Sequence, residues 1–261
     1  MKNSTFYIFV IVVVLGLVGI FIFEKTTYRL TTDEMFDAIL ADKHETVFKM
    51  PVPPRVGFGW GREYNRVNTH YYNRDGIGMT KPFFKSMERY LALFLPQFAN
   101  ATGINVELVL PAEEVLSGRD DVNIRIVVDG SFTREVEGKK IYSGDLNAII
   151  EDDPLYHGDV VRLKMTSPMR AYAYFDDSYQ IKRVVCHMWI YMNLAETQTA
   201  MHECIVRAFG VLGGLDKLSY FQSPVVHRDV RKLIKFLYCP EVKSGMGRSD
   251  LQEIVRQNKC P

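Results

Sequence analysis

Residues 182–214 read KRVVCHMWIYMNLAETQTAMHECIVRAFGVLGG, and three signals follow one another along them. Lys182–Met192 is the most strongly apolar of the strand-like runs in the chain. Asn193-Leu194-Ala195-Glu196 then has the form of a capping box with asparagine as the cap. A helix runs from there to about Val211, and Gly213-Gly214 stops it. A strand feeding a capped helix, among interspersed strands and helices with no internal repeat, predicts a mixed α+β domain.

Inside that helix, residues 202–210 read HECIVRAFG. Zinc peptidases of the His-Glu-x-x-His kind place two histidines four residues apart, so that both face one metal, with a glutamate beside the first to activate water. Counted from His202, the second histidine position is Val206, which cannot ligate zinc. Aligned instead on Gly210, as in the longer His-Glu-x-x-His-x-x-Gly pattern, the ligand positions become Glu203 and Arg207, and Cys204 takes the place of the catalytic glutamate. Arginine keeps its proton and does not bind zinc. An acid–base pair therefore stands where a metal would sit, and no metal or other cofactor is expected. Met201, Ile205, Ala208 and Leu212 form an apolar stripe, with Glu203, Arg207 and Gly210 on the other side. Two arrangements fit: a cleft lined by Glu203 and Arg207, or an ordinary surface pair at i, i+4.

With 32 basic and 31 acidic residues the net charge is +1, which gives no electrostatic footprint for nucleic acid. The N-terminus is a different material. Phe6–Phe23 is an uncharged apolar run of eighteen residues, nearly enough to span a bilayer as a helix. It ends in Ile20-Phe21-Ile22-Phe23 without a small-residue cleavage pattern, so it reads as an uncleaved signal anchor, a cleaved signal being the alternative. Either way the rest of the chain lies outside the cytoplasm. The chain thus divides into an anchor (1–25), a linker and extended aromatic, Gly- and Pro-rich segment (26–80), and one α+β domain (81–261).

Within the linker a short helix is expected at Thr32–Leu40, where Thr32 precedes Asp33 and Glu34. In the domain, helical spacing predicts a helix from Pro82 to Leu95, disturbed at Pro96. Ile104–Leu110, Asn123–Val128 and Val160–Met165 read as strands and Arg134–Tyr142 as a hairpin. Further helices are expected at Asp229–Tyr238 and from Ser249 to about Gln257. Neither G-x-S-x-G nor a phosphate-binding glycine loop occurs.

The four cysteines suit an exported domain. Cys239 with Cys260 would tie down the C-terminal tail. Cys186 and Cys204, on consecutive elements, fit either a disulfide or two buried thiols.

The segment from Val184 onward resembles a domain-of-unknown-function family of exported proteobacterial proteins. The resemblance rests on Glu203-Cys204-Ile205-Val206-Arg207-Ala208-Phe209-Gly210-Val211, Ser219-Tyr220-Phe221, Leu237-Tyr238-Cys239-Pro240 and Ser244-Gly245-Met246, and in outline covers residues 82–257. Cys239 and Ser244 depart from the aspartate and proline common there. That family looks like a degenerate relative of the zincin metallopeptidases, with strand Asn123–Gly130 resembling its edge strand. The resemblance implies a zincin-like domain: a small mixed sheet with an edge strand, a motif helix and C-terminal helices. It also implies a single-pass bacterial inner-membrane protein with its domain in the periplasm. Glu203, Arg207 and Arg125 are the candidate binding residues, and another envelope protein the expected partner. Two functions follow: non-catalytic binding or envelope assembly, or an envelope hydrolase acting on peptide or glycan with Glu203 as base and Arg207 holding an anionic group. A carboxylate beside an arginine is a weak base, which favours the first.

Overall fold

The computed structural model describes residues 30–40, 45–60, 81–110, 121–129, 133–136, 139–142, 159–167, 169–189, 194–213, 215, 220–221 and 225–260. In chain order its elements are α1 (Thr32–Ile39), β1 (Arg55–Trp60), α2 (Lys81–Thr102), β2 (Glu107–Val109), β3 (Ile124–Asp129), β4 (Thr133–Val136), β5 (Lys139–Tyr142), β6 (Asp159–Leu163), β7 (Met169–Phe175), β8 (Ile181–Trp189), α3 (Leu194–Ala208), α4 (Arg228–Leu237) and α5 (Arg248–Arg256). Residues Asp33–Pro261 form one compact unit. Among the described residues no helix is long and apolar enough to cross a membrane. The anchor expected at 1–25 and the cap expected at Asn193 lie outside the described residues.

The fold is mixed α+β around a six-stranded sheet in the order β2-β1-β3-β8-β7-β6. Strands β2, β1, β3 and β8 run parallel; β7 is antiparallel to β8, and β6 to β7. The hairpin β4–β5 forms a separate two-stranded sheet. Side chains alternate across a strand, so register fixes two faces. Ile126, Cys186 and Ala171 are in register on one face, where Phe58 touches Phe84 of α2 and Cys186 bonds Cys204 of α3. The two helices also meet through Phe94 and His202, and Phe98 of α2 packs on Phe209 just past the end of α3.

Several expectations need correcting. Strand β3 is not an edge: it pairs with β1 on one side and β8 on the other, and the edges of this sheet are β2 and β6. Ile124–Val128 are buried on both of its faces. Residues 26–80 contribute a strand to the sheet. Arg55–Trp60 is an inner strand, its Val56 and Phe58 alternating with Gly57 and Gly59, so the glycines that read as loop are strand positions with nothing to pack. Residues 45–50 are stitched in as well, through bridges Thr46↔Gly247 and Lys49↔Gln180.

Helix α2 continues through Pro96 to Thr102. Proline removes only the hydrogen bond to the Ala92 carbonyl, and Ala92 and Pro96 both face solvent, so water can take that place. Buried Leu91, Phe94, Leu95 and Phe98 hold the helix on either side of the break. Helix α3 ends at Ala208, earlier than Gly213-Gly214 suggested, because Gly210 turns left-handed (φ +96) with its N–H on the Arg207 carbonyl.

Candidate functional site

Glu203 and Arg207 lie one turn apart in the second half of α3, and neither side chain has any exposed surface. They are thus neither a surface pair nor exposed to solvent. The side of α3 opposite the Met201 stripe is buried too, since every residue from Thr199 to Leu212 is covered.

The Glu203 carboxylate is filled from the loop that precedes β7. Oε1 accepts the Thr166 N–H at 2.8 Å; Oε2 accepts the Ser167 N–H at 2.8 Å and the Ser167 hydroxyl at 2.6 Å. Two successive amides aimed at one carboxylate stabilise its charge in place of water. Arg207 reaches the other way, into the loop that follows α3. Its Nη1 donates to the Gly213 carbonyl at 2.6 Å and the Val211 carbonyl at 3.2 Å. Its Nη2 donates to Leu215 O at 3.1 Å and to Glu203 Oε1 at 3.2 Å. The guanidinium also stands over the Phe221 ring. The pair is therefore an internal brace: it joins two loops that no backbone ladder joins. Both oxygens of Glu203 are engaged by the protein.

His202 is a core residue. Its ring packs 4.5 Å from Phe94 and edge-on to Phe221, and Nδ1 donates to the Phe221 carbonyl at 3.2 Å. Val206 is buried beside it. Cys204 is bonded to Cys186, with Cα atoms 6.1 Å apart, so the residue at the catalytic-glutamate position staples α3 to the centre of the sheet. Cys239 is bonded to Cys260, with Cα atoms 5.9 Å apart. Both pairings considered from sequence are thus present. Among the described residues one grouping of three metal-ligating side chains occurs, Cys239, Glu241 and Cys260, and its two sulfurs are taken up by that disulfide.

Arg125 is buried in β3 between Gly57 and Val185, on the face turned away from α3. On that face Val127, Val185, Tyr172 and Tyr174 cluster, and His187 lies edge-on to Tyr172. The structure does not bring Arg125 together with Glu203 and Arg207; a sheet stands between them.

Gly210 and Gly213 owe their identity to close approach. A Cβ at Gly210 would meet the Phe48 carbonyl oxygen at 2.0 Å, and one at Gly213 the Asp37 carbonyl oxygen at 2.2 Å. The glycine that completes the peptidase-like pattern thus makes room for residues 45–50. Next to it, Lys49 donates to the Val242 carbonyl at 2.8 Å and lies over the Tyr238 ring. Burial, and then the neighbouring Lys243, lower the Lys49 pKa to about 8. The Tyr238 hydroxyl donates to the Met50 carbonyl, and burial raises its pKa.

Thr166, Ser167 and Lys49 carry this region and were absent from the sequence reading, which named Phe221 only as part of Ser219-Tyr220-Phe221. Thr166-Ser167-Pro168 has the composition of a turn, which was a signal for a loop but not for the carboxylate it would hold. No family model, curated protein or solved structure matches the chain.

Proposed function

We propose that the chain is a membrane-anchored, exported bacterial protein whose zincin-like domain binds a partner in the cell envelope without catalysis. Residues 6–23 serve as the anchor and the domain lies in the periplasm. The observation that carries the non-catalytic reading is the condition of the three peptidase-like positions. Glu203 binds the Thr166–Ser167 amides, Arg207 binds the carbonyls after α3, and Cys204 is in a disulfide. A permanently protonated guanidinium at the second ligand position repels a divalent cation. The zincin-like reading is supported by the order of elements: a helix, strands, the motif helix, a glycine turn and C-terminal helices. Two disulfides suit an oxidising compartment.

Metal analysis of protein purified from membranes, with a peptide-cleavage screen, tests this. The expectation is zinc well below one per chain and no cleavage. Stoichiometric zinc, or cleavage abolished in a folded Glu203→Gln variant, would overturn it. For the partner, cross-linking in intact cells should capture an envelope protein.

A further inference from the structure

Four cations stand on the outward side of α4. Arg228, Arg231, Lys232 and Lys235 follow i, i+3, i+4, i+7 spacing, so they share one side of the helix, and all four are exposed. Val230, Leu233, Ile234 and Leu237 anchor the other side in the core, and Asp229, the only acid of the helix, is buried with them. Among the described residues none of the four cations joins an ion pair. Some other surface cations are paired: Arg248 with Asp33 and Asp37, Lys182 with Asp176, Arg256 with Glu253.

This arrangement works against the helix. Like charges three and four residues apart repel. Arg228 and Arg231 also sit in the first turn, where the helix dipole favours acids. An external anion would relieve both. Helix α2, packed against α4, adds exposed Lys85 and Arg89, and Val225, just ahead of α4, is an exposed apolar residue beside the stripe. A net charge of +1 averages this asymmetry away.

We infer that the α4 stripe docks on the anionic phospholipid headgroups of the bilayer that holds the chain. This rests on the anchor proposed above. The stripe is about 10 Å long at the helical rise, a straight line of charge suited to a planar surface. Nine residues of sequence, 24–32, lie between the apolar run and the compact unit. An exported domain meets no nucleic acid, the other polyanion such a stripe fits. Each cation near an anionic surface contributes about fivefold to membrane affinity, and a neighbouring valine adds a small apolar contact.

The test uses the full chain reconstituted in vesicles of phosphatidylcholine alone or mixed with phosphatidylglycerol. Amine acetylation of each lysine is followed by mass spectrometry, and an alkaline carbonate wash reports anchoring. Lys232 and Lys235 should label several-fold more slowly in the anionic vesicles, the protection should vanish at high salt, and Lys182 should be indifferent. Arg228→Gln with Arg231→Gln should release most of the protection. Release of the chain by carbonate sinks the anchor and this inference together. Retention with equal labelling in both vesicles sinks this inference alone. Protection in neutral vesicles that grows with protein concentration gives the face to a second protein and overturns it as well.

Discussion

Glu203 and Arg207 are 3.2 Å apart inside α3, and each is bound to a different loop: Glu203 to the one before β7, Arg207 to the one after α3. The polar face of α3 is part of the protein's own framework.

Removing one member of that pair leaves the other charged, buried and unpaired. Arg207→Met or Glu203→Ala should each cost about 3–5 kcal/mol in urea unfolding. The double variant should cost clearly less than the sum, because neither charge is then stranded. Additive losses would mean that the two do not act as a unit.

The Cys186–Cys204 disulfide closes a loop of 18 residues of sequence separation. Replacing both cysteines by alanine should lower stability by about 3 kcal/mol. The loss should equal most of the effect of a reductant on the wild type if the Cys239–Cys260 link contributes little beyond the tail. A variant as stable as the wild type would remove the staple from the account.

Gly210 and Gly103 both have positive φ, +96 and +82, but a Cβ at Gly103 meets nothing within 4 Å. Gly103→Ala should therefore cost only the left-handed backbone penalty, about 1–2 kcal/mol. Gly210→Ala must also push back the Phe48 carbonyl and should cost appreciably more. Equal losses in parallel denaturation curves would show that residues 45–50 yield freely.

Stability should depend on pH through Lys49 and the buried tyrosines. Lys49 has a folded pKa of about 8, below its unfolded value of 10.5, so the unfolded chain binds more protons between them. Stability thus rises as pH climbs from about 8 toward 10. Tyr90, pushed up to about 12 by burial, and Tyr238, raised further, stay protonated in the fold after they ionise in the unfolded chain. Above pH 10 that contribution is progressively lost. Unfolding curves at pH 7, 9 and 11 for wild type and Lys49→Met should show the first rise only in the wild type; a rise that survives in the variant belongs to another group.

Much of this was legible in order. Helical periodicity located α2, a capping box located α3, and β3, the β4–β5 hairpin, α4 and α5 were expected as well. Strand β7 was missed although Met169, Ala171 and Ala173 alternate with Arg170, Tyr172 and Tyr174, because two tyrosines and an arginine resemble a surface loop until a sheet covers them. Strand β1 was missed because its glycines read as loop.

By itself the sequence determined the α+β class, the failure of the zinc pattern at Val206 and Arg207, and the four cysteines able to pair. Those follow from local periodicity and side-chain chemistry, which need no partner in space. Only the tertiary structure decided that Cys204 bonds Cys186, that Arg125 lies across the sheet from Glu203, and that Glu203 answers to Thr166 and Ser167. Those relations join residues 18 to 78 positions apart, and register and packing set them rather than spacing along the chain.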